Sequence, residues 1–446
     1  MSVKTHIFPN GLKLIYEKSP GNIPVTQIQA FCSFGSIDEP DDLKGAAHFI
    51  EHMCFKGTTA ISSSIKLTQT YDKIGAYMNA LTYKLYTCYV IKCDSNFTEN
   101  MVKLVSDMML NSTLSEKECK KEVQVVIEEN SKNGDDSNHA LFVELDKLIY
   151  KDSIYEQPVD ATEFHKRDFV YSDIRELYKR NYQPDRIVLS VVTDLSFEHI
   201  KRIVSSSIFG KTKNNGPCKP IVNGHVPPQY ETRYKIIEKK SENTTHLAIG
   251  FRIHAEDRHK LVLFKTILGG PMSARLFTVL REENGLTYKS SVTLMVDVNY
   301  GDLTIYAESE STKIMKNGKG KKGVFPLIIG IIDDVIKNGV TQSEVDLTKQ
   351  YLKGSLNTNL DSNESKCKHN GVSALLYPDT PVCPYSKLYD AYYKDISKAD
   401  IDEVARKYLT KSNMSVCFSG GNTPKLSAIK PFCERLGLTT GSTSVK

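Results

Sequence analysis

Apolar and polar positions alternate along the first half of the chain, and turn residues punctuate them. Ile7-Phe8, the turn Pro9-Asn10-Gly11 and the run Leu12 to Tyr16 predict a β-hairpin, and Val25 to Phe34 predicts a longer strand. Asp41 and Asp42 are expected to cap a helix that runs through Phe55 and stops near Gly57, and a second helix is expected over Ser63 to Ile74. Strands return at Tyr77 to Thr82 and Tyr86 to Ile91. Two long helices follow, Glu99 to Leu110 and Glu116 to Asn130, the latter opening on the capping box Ser115-x-x-Glu118.

The order recurs in the second half. Strands are expected at Tyr234 to Glu238 and His246 to Ile253, then a helix from Lys260, a Gly269-Gly270 turn and a helix through Leu280. Strands near Tyr288 to Val296 and Asp302 to Glu308 lead into a helix over Pro326 to Lys337. Between the halves lies a polar stretch rich in Gly, Pro and Asn, Gly210 to Pro228, which reads as a linker. The expected organisation is therefore a duplication: a domain over 1–212, a linker over 213–228 and a homologous domain over 229–446. The fold class is α+β, with two homologous α/β sandwich domains. Each is a mixed, largely antiparallel sheet with helices packed on it, not a doubly wound parallel sheet.

Composition narrows the classes of function without choosing one. The 446 residues are 40% hydrophobic and 25% charged, which excludes collagen-like, membrane-bundle and wholly disordered chains. The formal net charge of +5 is spread along the sequence, so no nucleic-acid partner is expected. The longest apolar run, Val324 to Ile332, is too short to span a bilayer. Ten scattered cysteines without a CxxC pair fit free thiols in a reducing compartment. Met1 to Tyr16 shows neither a secretory h-region nor an arginine-rich presequence, so the cytoplasm is expected rather than the mitochondrial matrix.

Chemistry concentrates in His48-Phe49-Ile50-Glu51-His52. Positions i and i+4 of a helix lie on one face, so both imidazoles can reach a single ion while Glu51 stands beside them. Two neutral imidazoles and one carboxylate leave a fourth position for water, and a second carboxylate can take its proton. With 11 histidines in 446 residues the arrangement is rare by chance, and its order is that of the inverted zinc-peptidase motif. An acidic third ligand is expected from another element. The helix from Glu116 offers Glu122, Glu128 and Glu129; Glu122 and Glu129 share a stripe two turns apart and Glu128 points elsewhere. Position alone does not choose between Glu122 and Glu129.

The segment Gly45 to Thr58 resembles the zinc signature of the pitrilysin/insulinase family, most of all the branch of mitochondrial processing peptidase beta subunits and short bacterial zinc proteases. By that resemblance, the spacing from His52 gives Glu129 the ligand role and Glu122 an auxiliary one. It also implies one Zn2+ per chain, held by His48, His52 and Glu129, with Glu51 as general base. Gly75-Ala76-Tyr77-Met78-Asn79-Ala80-Leu81-Thr82 matches a family strand whose exposed edge holds substrate, which makes Asn79 and Ala80 substrate-binding candidates. Leu280 to Tyr288 matches a segment of the non-catalytic half whose Arg and Tyr contact substrate, here Arg281 and Tyr288. The resemblance further implies half of a clamshell chamber that takes unfolded peptides. The chain would act as a homodimer, or as a heterodimer with a non-catalytic homologous subunit. The competing expectation is a catalytically silent or partner-dependent core subunit of the same fold.

Overall fold

Two six-stranded sheets carry the architecture of the computed structural model, which describes residues 2–21, 23–161, 171–214, 233–238, 243–316, 322–421, 431–434, 436–437 and 440–445. The strands are β1 (Lys4–Ile7), β2 (Lys13–Lys18), β3 (Val25–Cys32), β4 (Tyr77–Thr82), β5 (Thr87–Asp94) and β6 (Ile187–Thr193). They are followed by β7 (Arg233–Glu238), β8 (Thr244–His254), β9 (Lys289–Val296), β10 (Tyr300–Glu310), β11 (Met414–Gly420) and β12 (Thr440–Val445). The first sheet runs β1-β2-β6-β3-β5-β4 and the second β12-β7-β11-β8-β10-β9. Five strands correspond one to one, including a parallel pair (β2 with β6, β7 with β11) followed by antiparallel neighbours. The sixth does not: β1 is the antiparallel hairpin partner of β2, whereas β12 is a parallel strand from the end of the chain.

The fold is thus α+β, with a duplicated and largely antiparallel sheet. The β1–β2 hairpin forms as its turn chemistry predicts, with Gly11 at φ 86, a conformation that favours glycine. Each sheet has its own apolar core. In the first, Ile28, Ala30, Leu189, Val191 and Ile91 meet Phe49, Met101, Val105, Met108 and Val204 from helices. Each of these side chains except Ala30 contributes about 1.5–3 kcal/mol by leaving water. In the second, Leu247, Ile249, Leu303 and Val416 meet Phe264, Phe325 and Ile401.

Compact packing and chain order diverge at two places. One unit comprises Met1–Asn130, Gln157–Asn223 and Ser355–Leu388; the other comprises Ser131–Glu156, Gly224–Gly354 and Tyr389–Lys446. The helix Ser137–Ile149 therefore belongs with β7, β8 and β11, and the helix Asn363–Leu376 with β2, β3 and β6. Division at 213–228 assigns both helices to the opposite domain, because hydrophobic period reveals that a helix has an apolar face but not which sheet covers it. Of that expected linker, only residues 213 and 214 lie within the described residues.

The two guest helices are seated alike. Cys367 Sγ approaches the carbonyls of Gln27 and Ser190, and a Cβ on Gly371 would overlap the Phe31 ring, so the helix lies close on β3. A Cβ on Gly250 in β8 would likewise overlap Ile149. The last carbonyls of each helix accept from a basic side chain of the receiving sheet, Lys13 Nζ to Ala374 O at 3.4 Å and Arg252 to Ile149 O.

The helix expected from Asp41 to Phe55 is shorter. Asp41–Leu43 is a separate 3-10 turn, and the α-helix is Ala46–Met53, entered through Gly45 at φ 95. A left-handed residue cannot continue a helix, so Asp41 and Asp42 cap nothing in the Ala46–Met53 segment. The cap comes from Glu39, whose carboxylate accepts from Gly45 N at 2.8 Å and Ala47 N at 2.7 Å. Glu39 is only 5% exposed. Burial pushes its carboxyl up to about 8, against the pull of these two N–H groups.

Candidate metal centre

His48 and His52 stand one turn apart on the Ala46–Met53 helix with their Nε2 atoms 3.2 Å from each other. The helix Glu116–Asp135 brings Glu129 Oε2 to 3.6 Å from His52 Nε2. One donor atom from each of His48, His52 and Glu129 lies within 4.8 Å of the other two. Glu128 is exposed on the same helix. Glu122, two turns before Glu129, reaches the other side of the imidazole: its Oε1 lies 2.9 Å from His52 Nδ1. Its second oxygen pairs with Lys56 Nζ at 2.6 Å. At the start of this helix Ser115 Oγ accepts from Glu118 N, while the Glu118 carboxylate pairs with Lys121 instead of closing the capping box.

Electrostatics separate these groups. Burial, followed by the neighbouring His52, holds His48 below the ordinary imidazole range. Burial acts on His52 in the same direction, but the Glu122 hydrogen bond and the surrounding carboxylates outweigh it and raise the group. Burial also opposes ionisation of Glu122, yet its bonds to His52 and Lys56 hold it below the usual carboxylate range. A carboxylate on Nδ1 fixes the tautomer that leaves Nε2 free as a ligand. Glu51, 8% exposed, is raised by burial, and its Oε2 accepts from Thr82 Oγ1 at 2.6 Å.

The donor set fits a zinc ion. Tetrahedral coordination with Zn–N near 2.0–2.1 Å sets two nitrogens roughly 3.3 Å apart, close to the 3.2 Å separation of the two Nε2 atoms. Two imidazole nitrogens that close repel through their lone pairs unless a proton or a cation lies between them, and Glu129 supplies the compensating negative charge. Two histidines and one carboxylate make an open, reactive type of site rather than a closed structural one.

Asn79 and Ala80 lie on β4, at the edge of the first sheet, where Asn79 Oδ1 accepts from Ala80 N at 2.9 Å. Arg281 and Tyr288 lie in the second unit. Arg281 Nη1 donates to the Tyr288 carbonyl at 3.1 Å, and the Tyr288 side chain is 89% exposed. Both line a cleft of about 430 Å³ with Glu282, Glu308 and Lys313. Three residues escaped the sequence argument. Thr82 and Lys56 stand inside the quoted motifs, but only folding shows that they bond Glu51 and Glu122; Glu39 lies outside the motifs altogether.

Fold and donor set together define the class, a duplicated α+β protein with a helix-borne site of two histidines and a carboxylate. Residues 15–163 match the family model described as Insulinase (Peptidase family M16), and residues 168–352 match the Peptidase M16 inactive domain. The chain belongs to this M16, or pitrilysin/insulinase, family of zinc peptidases. It is 29% identical over 429 residues to YmxG of Bacillus subtilis, an uncharacterized zinc protease, covering 95% of this chain and 100% of that one. An uncharacterized zinc protease of Mycobacterium tuberculosis is 27% identical over 379 residues, 83% of each chain. A protease from Helicobacter pylori shares the fold at TM-score 0.83 and 21% identity, over 94% of this chain and 99% of that one. A peptidase M16 inactive domain from Pseudomonas fluorescens does so at 0.82 and 19%, over 95% and 98%. No helix among the described residues is long and apolar enough to cross a membrane.

Proposed function

We propose that the protein is a zinc-dependent endopeptidase acting on extended, unfolded peptides. The observation that carries this reading is the convergence of His48, His52 and Glu129 with Glu51 on the adjoining helix position, Glu51 being bonded to the last residue of an edge strand. One zinc ion held by His48, His52 and Glu129 would polarise the scissile carbonyl and acidify a water. Glu51 takes that proton at a carboxylate oxygen and returns it to the leaving amine. Burial raises the Glu51 carboxyl, which makes it a stronger base for the first step and keeps the acquired proton on it for delivery in the second. Thr82 aims the carboxylate, and Glu122 with Lys56 fixes the His52 ring.

Among the described residues β4 is unpaired on one edge, which offers backbone groups to a peptide, with Asn79 and Ala80 at its centre. By family resemblance Arg281 and Tyr288 contact substrate, a role that the 89% exposure of Tyr288 supports. The same resemblance supports a dimeric chamber, homodimeric or completed by a non-catalytic homologue. No disulfide is formed among the described residues, which supports a reducing compartment such as the cytoplasm. The rival reading is a silent core subunit; the complete donor set and the oriented Glu51 favour the enzyme.

The test is expression of the chain alone, loading with zinc and incubation with an unstructured peptide. Wild type is expected to cleave, and Glu51→Gln to keep zinc while losing about 10²–10⁴-fold in rate. A Glu51→Gln protein that cleaves like wild type overturns the role of the base. A wild type that holds zinc but cleaves only with a homologous partner present replaces the homodimer by the heterodimer.

A further inference from the structure

The outer edge of the first sheet carries more than unpaired backbone. Among the described residues β4 pairs with β5 alone. Because the Ala80 N–H is taken by the Asn79 side chain, it faces away from β5, and the two-residue repeat of the ladder turns the backbone groups of Met78 and Thr82 outward with it. Side chains divide in the same rhythm. Ala80 is buried in the core beneath the metal-site helix, and Thr82, on the same face, bonds Glu51. Tyr77, Asn79 and Leu81 form the opposite face, where Tyr77 is 56% and Leu81 45% exposed. Large apolar side chains on an open edge invite strand addition, a hazard that proteins ordinarily blunt with charge or proline. Here the edge is left apolar beside the candidate site.

We infer that Tyr77 and Leu81 are specificity determinants that read two apolar side chains, four residues apart, in an extended peptide added along β4. In an added strand the residues opposite Tyr77 and Leu81 are also four apart and on the same face. They would lie at cross-strand distances of about 4.5–5.5 Å, where aromatic and branched aliphatic pairs attract. The residue opposite Asn79 meets a carboxamide, so the preferred pattern is apolar, any, polar, any, apolar. Leu81 adjoins Thr82, which holds Glu51, so the apolar residue opposite Leu81 is the one nearer the scissile bond. To admit the peptide, the Asn79 side chain must release the Ala80 N–H, and it then becomes free to bond the polar central residue. The inference rests on the peptidase reading for the nature of the occupant, but its recognition pattern can be measured without catalysis.

The experiment uses the zinc-loaded full chain and unstructured peptides of one length and charge. Leucines stand four apart in one set, three apart in a second, and serines replace them in a third. Wild type is expected to prefer the four-apart set over both others by about tenfold in kcat/KM, carried by KM. Tyr77→Ser/Leu81→Ser should reduce that ratio to near one with zinc content unchanged, and Tyr77→Phe should keep it. If no peptide is cleaved either alone or with a homologous partner present, the peptidase reading fails on its own, and fluorescence anisotropy of the same peptides on the same variants decides the inference by the same ratios. Equal preference for the three-apart and four-apart sets overturns it. So does a preference that survives Tyr77→Ser/Leu81→Ser, or a double variant that changes only the oligomeric state in sedimentation, which would make the edge an interface between copies.

Discussion

Thr82 Oγ1 donates to Glu51 Oε2 at 2.6 Å, tying the end of an edge strand to the carboxylate beside the two helix histidines. The bond makes the position of the proposed base depend on the strand that is proposed to carry the peptide. Thr82→Val keeps the shape and removes the donor. It is expected to lower kcat about tenfold, in line with a hydrogen bond to a charged group, with zinc content and thermal stability near wild type. Stopped-time cleavage assays with parallel metal analysis check this, and an unchanged kcat would show that Glu51 is positioned by its helix alone.

Glu122, Glu128 and Glu129 share one helix but not one role. Glu129→Gln is expected to abolish tight zinc binding. Glu122→Gln should weaken it 10–100-fold by loosening the His52 ring, and Glu128→Gln should leave it unchanged. Competition with a chelating dye ranks the three. Equal affinity in Glu128→Gln and Glu129→Gln would remove Glu129 from the ligand set.

Two helix glycines are expected to respond in opposite directions to the same change. Gly371→Ala forces a methyl into the Phe31 ring and should cost about 1–3 kcal/mol. Gly330, in the helix Val324–Asn338, has open space around its Cβ direction, and Gly330→Ala should stabilise by about 0.5–1 kcal/mol. Denaturant unfolding measures both. A neutral Gly371→Ala would mean that the helix Asn363–Leu376 rides higher on β3 than described.

Acid sensitivity of the second unit should involve Glu344. Burial opposes its ionisation, but Arg275 grips both oxygens, at 2.6 and 2.8 Å, and Thr341 N donates at 2.7 Å, so the carboxyl lies below its ordinary value. Its folded value being depressed, the group's contribution is full above the unfolded carboxylate range near 4.3 and is lost as pH falls through the lower folded value. Glu344→Gln should therefore lower stability at pH 7 and flatten its fall below about pH 4. Melting temperatures across pH 3–7 provide the check, and parallel curves for variant and wild type would rule Glu344 out.

Local chemistry wrote much of this protein into its sequence. The Pro9-Asn10-Gly11 turn, the alternation over Tyr77 to Thr82 and the helical spacing of His48 and His52 are interactions between near neighbours, and each forms where the pattern places it. Asp41 and Asp42 look like helix caps in the sequence, whereas the left-handed Gly45 and the carboxylate of Glu39 set the helix start at Ala46. Pattern could not choose between Glu122 and Glu129, since both lie on one stripe; only the resemblance did, and the fold separates them by placing one on each nitrogen of His52.

What the sequence determined by itself is the set of repeating elements and the helical pair of imidazoles, because hydrogen bonding and side-chain period act within a few residues. What only the tertiary structure decided is which distant side chains complete them. Thr82 on Glu51, Lys56 on Glu122 and the helices Ser137–Ile149 and Asn363–Leu376 on sheets from the opposite half are contacts made by packing, and burial of an apolar face carries no address for the surface that buries it.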